Sequence, residues 1–236
     1  MRSPTMPPMR TLLIALVLLG CSGDDKKTTV DAAVDAPAVK LDCDTYCTQI
    51  MANCTGANTQ YASMGHCLGS CAAIPVGTSK VTDTSGNTLG CRIYHSGTPA
   101  MGMPGTHCPH AGPGGDLLTA AAPGGCSGGN ICQNFCNIEI KTCGSIDAPI
   151  AGGVIVPQYQ NAADCMTKCA AFPNKDQPYS TTAKGDSLAC RLYHVTNAAA
   201  ATVLSPPNAA MVAAHCVHSG PNGGANQAQC MTGTLP

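Results

Sequence analysis

The sequence predicts a small all-α, loop-rich disulfide scaffold built as two tandem duplicated modules with helical C-x3-C pairs, and three observations predict it. Seventeen of the 236 residues are cysteine, far above ordinary usage. Two Phe, six Tyr and no Trp leave the chain short of the large rings that usually dominate buried apolar area. Small exported domains with too little core use disulfides instead, and such bonds persist only in an oxidising compartment. Finally, sixteen of the cysteines form two sets of eight with one common spacing.

The first set is Cys43, Cys47, Cys54, Cys67, Cys71, Cys91, Cys108 and Cys126, and the second is Cys132, Cys136, Cys143, Cys165, Cys169, Cys190, Cys216 and Cys230. Each begins C-x3-C-x6-C, continues with C-x3-C and ends in three wider-spaced cysteines. Other residues keep the same frame. Cys71-Ala72-Ala73-Ile74-Pro75 matches Cys169-Ala170-Ala171-Phe172-Pro173, and Cys91-Arg92-Ile93-Tyr94-His95 matches Cys190-Arg191-Leu192-Tyr193-His194. His107-Cys108-Pro109-His110 matches His215-Cys216-Val217-His218. Matching blocks in one order identify a duplication. We place the modules at residues 41–127 and 128–236, joined by Ser-Gly-Gly-Asn-Ile between Cys126 and Cys132.

Helices follow from the spacing. Positions i, i+4 and i+11 fall within about 40° on a helical wheel, so Cys43, Cys47 and Cys54 would line one face, and Cys132, Cys136 and Cys143 likewise. Asp42 and Asn130 are candidate N-caps. Cys67 and Cys71 share a face on a second helix closed by Pro75, and Cys165 and Cys169 are closed by Pro173. A third helix is expected after Asn87-Thr88 and Asp186-Ser187. Gly-Pro after the fourth block would stop a helix that carries His107 or His215. Gly-, Ser- and Thr-rich loops without alternation predict little sheet. Two antiparallel helices with C-x3-C pairs can be joined by nested disulfides, an arrangement that resembles the twin C-x3-C helical hairpins. That resemblance implies Cys43 with Cys71 and Cys47 with Cys67, then Cys132 with Cys169 and Cys136 with Cys165. Eight cysteines otherwise allow 105 connectivities.

The N-terminus has a separate logic. Arg2 and Arg10 precede the apolar run TLLIALVLLG, which is too short to span a bilayer. The run ends in Leu18-Leu19-Gly20-Cys21, which resembles the lipobox of bacterial lipoproteins. The resemblance implies a signal peptide at 1–20, cleavage before Cys21 and acylation of that cysteine. Ser22 after the cysteine implies, in that family, transfer to the outer membrane. Removing Cys21 from seventeen leaves sixteen cysteines, an even number that can pair completely. Residues 21–40 are polar, small and rich in Ala, Asp, Thr and Val, a composition that predicts a lipidated flexible tether.

The function classes narrow by exclusion. A net charge of -1 with few, scattered basic residues argues against nucleic acid as a partner. No Cys-x-x-Cys-His, Gly-x-Ser-x-Gly elbow or phosphate loop occurs, and acidic residues are sparse. Six of seven histidines match between modules: His95, His107 and His110 with His194, His215 and His218. His66 has Asp164 at its counterpart. Each matched trio could bind zinc or copper through three nitrogens with one position open, or could fasten backbone in a domain short of other polar ties. Paired cysteines would not be ligands, because metals require thiolate. Architecture therefore predicts an exported lipoprotein, held at the membrane by Cys21, whose modules bind an unidentified protein or carbohydrate. Metal binding through the histidines and an enzyme of unrecognised type are the alternatives.

Overall fold

Local capping starts most of the helices. In the computed structural model, which describes residues 39–116, 125–150, 156–173, 179–223 and 229–230, helix α1 (Cys43–Asn53) is capped by Asp42, whose carboxylate accepts from Thr45 N at 2.8 Å. Thr88 caps α3 (Leu89–Ser96), Asn130 caps α6 (Ile131–Cys143), Asn161 caps α7 (Ala162–Ala170) and Ser187 caps α8 (Leu188–Thr202) in the same way. Each side chain satisfies a backbone N–H that the first turn leaves without a partner. The remaining helices are α2 (Met64–Cys71), α4 (Thr98–Gly102), α5 (Pro104–Ala111) and α9 (Ala209–Ser219). Among the described residues there is no strand, so the chain is an all-α, disulfide-rich scaffold.

Two details differ from the sequence reading. Helix α1 stops at Asn53, so Cys54 is its C-cap and not part of the cysteine face, whereas Cys143 is the last residue of α6. The chain turns away at Gly56, whose φ of 59 lies in the left-handed region. Helix α4 is an element that the cysteine spacing does not predict; it is five residues long, and Pro99 in its first turn suits a helix start.

Disulfides tie the helices pairwise. Cys43–Cys71 and Cys47–Cys67 join α1 to α2, and Cys54–Cys108 joins the end of α1 to α5. Cys132–Cys169 and Cys136–Cys165 join α6 to α7, and Cys143–Cys216 joins α6 to α9. Cys91–Cys126 and Cys190–Cys230 instead join a helix to a non-helical segment. Four of these eight bonds lie within the first copy and four within the second, and none of them crosses between copies.

Each copy has its own core around an edge-to-face aromatic pair: Tyr46 with Tyr61 at 6.2 Å, and Phe135 with Tyr159 at 6.2 Å. The pairs sit at matching positions, yet the hydroxyl that secures the end of the histidine-bearing helix differs. Tyr46 donates to Ala111 O in the first copy. Phe135 has no hydroxyl, and Tyr159 donates to Ser219 O at 3.1 Å in the second. The copies meet where α2 packs on α8. Gly69 permits this contact, because a Cβ built there would stand 2.2 Å from the Ala199 carbonyl oxygen. Any side chain at that position would force the two backbones apart.

The proposed lipid attachment residue, Cys21, and the segment 1–38 lie outside the described residues. No helix among the described residues is long and apolar enough to cross a membrane.

Candidate metal centre

The histidines come from two helices that the fold places side by side. In the first copy α3 carries His95 and α5 carries His107 and His110, which are i and i+3 and therefore share a face. The three rings converge, with centroids 5.0 Å (His95 to His107), 4.9 Å (His95 to His110) and 5.7 Å (His107 to His110) apart. One nitrogen from each lies within 4.8 Å of the others. In the second copy α8 carries His194 and α9 carries His215 and His218, with centroid separations of 5.2, 4.7 and 6.0 Å. This trio also offers three nitrogens within 4.8 Å of one another.

Hydrogen bonds at the outer nitrogens decide which lone pairs face inward. His95 Nε2 lies 2.9 Å from Thr84 O, a carbonyl that can only accept, so Nε2 carries the proton and Nδ1 is bare. His110 Nε2 lies 3.0 Å from Asp116 Oδ2, which gives it the same tautomer, and its Nδ1 is buried without a hydrogen-bond partner. His95 Nδ1 is 2.8 Å from His107 Nδ1, and the matching pair His194 Nδ1 and His215 Nδ1 is 3.0 Å apart. Without a cation one ring of each pair must donate to the other. With a cation between them both can offer lone pairs. Metal-binding imidazoles characteristically donate their second N–H to a carbonyl or carboxylate, as His95 and His110 do. A tetrahedral ion with metal–nitrogen bonds of about 2.0–2.1 Å needs ligand nitrogens about 3.3–3.4 Å apart, so the His95–His107 and His194–His215 pairs need spread by only about half an ångström or less.

The electrostatics favour the neutral form, which is the ligand form, of His95, His107, His194 and His215. Burial lowers the His95 and His107 pKa below the ordinary imidazole value, and the neighbouring rings add to the effect. Burial, then His218 and His215, pushes His194 down to about 3. His215 is lowered by burial, by His218 and by His66.

Further residues position the trios. Arg191 is buried, pairs with Asp186 at 2.8 Å, lies 4.0 Å over the Phe172 ring and donates to Gly220 O, which ties the end of α9 to the start of α8. Arg92, its counterpart, has Asn87 in place of that acid. Tyr94 and Tyr193 stand edge-on to His95 and His194 at 5.1 Å in each copy. His66 from the first copy donates through Nε2 to Asn197 on α8 and accepts from Ser63 through Nδ1, which ties the first copy to the helix that carries His194.

Residues 22–135 match the family model described as the BfoA family C-terminal domain. That match covers just under half of the chain and runs through the first copy into α6 of the second. No curated protein and no solved structure matches the chain.

Asp116 belongs to the candidate site through its contact with His110, although no sequence motif marks it. It is 7% exposed, with a φ of 85, a left-handed conformation that residues other than glycine seldom adopt. The signal available was an acid placed six residues after His110 in a Gly-Pro-Gly-Gly turn. Its counterpart in the second copy is Gly224, so the two trios differ in chemistry although they agree in geometry.

Proposed function

We propose that this chain is an exported, lipid-anchored protein that binds one zinc or copper ion per copy, through His95, His107 and His110 and through His194, His215 and His218. The observation that carries this reading is the first trio, in which Thr84 and Asp116 engage the outer Nε2 of His95 and His110 while the three rings each bring one nitrogen within 4.8 Å of the others. A hydrogen bond from His107 Nδ1 satisfies His95 Nδ1 alone and leaves the buried Nδ1 of His110 without a partner, which a cation would supply. Three imidazoles suit both zinc and copper and leave a position open, so the bound ion can exchange with solvent or a partner. Duplicated architecture by itself is equally compatible with recognition of a protein or carbohydrate, and the histidine geometry is the more specific observation.

Titrating zinc or copper into chelator-treated, fully oxidised protein at neutral pH is expected to raise the melting temperature and to saturate at two ions per chain. Ligand at about one hundred times its dissociation constant adds about 2.7 kcal/mol of stability. Replacing His107, His110, His215 and His218 by Ala together should abolish the shift. Asp116→Asn should weaken the first site alone, by roughly 10–100-fold. An absent shift in the wild type, or one that survives the four replacements, sinks the proposal.

The anchoring part rests on the Leu18-Leu19-Gly20-Cys21 match and on the even count of the other cysteines. Intact mass of membrane-extracted protein should correspond to a chain beginning at acylated Cys21. A chain that retains Arg2, or an unmodified Cys21, overturns it.

A further inference from the structure

One disulfide in each copy lies against the histidine trio. Cys91, His95 and Cys126 present sulfur, nitrogen and sulfur within 4.8 Å of one another, and Cys190, His194 and Cys230 repeat the arrangement. All six residues are buried. His95 and His194 each belong to both sets, because Cys91 and His95, like Cys190 and His194, stand four residues apart on one helix face. These two bridges are also the ones whose second cysteine lies outside a helix, while the other six hold helix to helix or helix end to helix. Opening them leaves the helix-to-helix connections in place.

We infer that each copy has a second, reduction-dependent metal site, in which Cys91 and Cys126 with His95, and Cys190 and Cys230 with His194, bind a soft or borderline ion such as copper(I) or zinc. The inference rests on the metal-binding reading above, since it uses His95 and His194 as lone-pair donors. The co-reactant is a dithiol. It transfers two electrons and two protons, so that the protein S–S bond breaks into two thiols while the dithiol closes into its own disulfide. Each thiol then loses its proton as the ion binds. Thiolate favours copper(I) and zinc far more than disulfide sulfur does, so reduction adds a site with sulfur ligands that shares His95 or His194 with the three-nitrogen site. The metal in turn holds the thiols reduced by mass action.

The test uses the full chain and a water-soluble phosphine, which with water converts a disulfide into two thiols and phosphine oxide and does not itself supply competing thiolates. Phosphine is raised stepwise with and without zinc, each sample is quenched and stripped of zinc and phosphine in denaturant, the thiols are then alkylated, and peptide mass mapping assigns them. With zinc present, Cys91, Cys126, Cys190 and Cys230 should label at no more than a tenth of the phosphine needed without it, and before the other twelve paired cysteines. Cobalt(II) in place of zinc should give a sulfur-to-metal charge-transfer absorption at that step. Both signals should survive replacement of His107, His110, His215 and His218 by Ala, which removes metal binding from the oxidised protein alone. Metal binding by oxidised protein, with zinc-independent labelling and no sulfur band after reduction, overturns this inference and spares the earlier one. Sulfur ligation after reduction, with no metal bound by oxidised protein, overturns the earlier one only.

Discussion

Complete reduction should unfold both copies. Each disulfide typically contributes about 2–4 kcal/mol, and the net stability of a domain is about 5–15 kcal/mol, so losing the four bridges of one copy removes its margin. The cores cannot compensate. The first is centred on Tyr46, Ile50, Tyr61, Leu89 and Ile93, and seven of its thirteen buried members are themselves cysteine or alanine with little area of their own, apart from the disulfides. Strong reductant without denaturant should therefore abolish the helical far-ultraviolet signal and the near-ultraviolet signal of the buried tyrosines together. A helical signal that persists at full thiol exposure would mean that the helices are held by packing and not by their bridges.

How much of this was legible before the structure depends on whether the cause was local. Asp42, Thr88, Asn130 and Ser187 act within three residues of themselves, so their capping roles could be read from their place ahead of an apolar or cysteine-bearing run. The six matched histidines were legible because duplication kept them while the loops changed. What brought them together was not. The convergence of His95 on His107 and His110 depends on how α3 lies on α5, and the tautomers depend on Thr84 O and Asp116, neither of which has a motif. The contact of α2 with α8 was equally hidden, since Gly69 has Thr167 at its counterpart and only the neighbouring Ala199 backbone explains the glycine. Cys91 and Cys190 were visible as disulfide partners, yet their closeness to His95 and His194 required the helix and the second segment together.

Glu139 is expected to make the second copy less stable as pH rises. Its side chain is fully buried on α6, where Ser219 Oγ donates to Oε2 at 2.7 Å and Oε1 has no hydrogen-bond partner. Burial pushes its pKa up to about 8 from an ordinary 4.5, with Ser219 opposing, and the nearby Tyr159 is itself raised by burial. The first copy has Ile50 at this position, so the fold does not require a carboxyl there. The folded value lies above the unfolded one, so the contribution is fully present below about pH 4.5 and is lost progressively until the folded group ionises near pH 8. A shift of that size corresponds to about 5 kcal/mol at most, at about 1.36 kcal/mol per pH unit. His194 works in the opposite sense: its folded value of about 3 lies below the unfolded one, so its contribution is present above the ordinary imidazole range and is lost as pH falls towards 3. The two overlap between about pH 4.5 and 6.5 and oppose each other there, which leaves the decline between about pH 6.5 and 8 as the mark of Glu139 alone. Urea unfolding of wild type and Glu139→Gln across this range separates them. The variant should match wild type near pH 4, gain steadily on it with rising pH and level off above pH 8, whereas parallel stability curves would mean that the carboxyl is not held neutral by the fold.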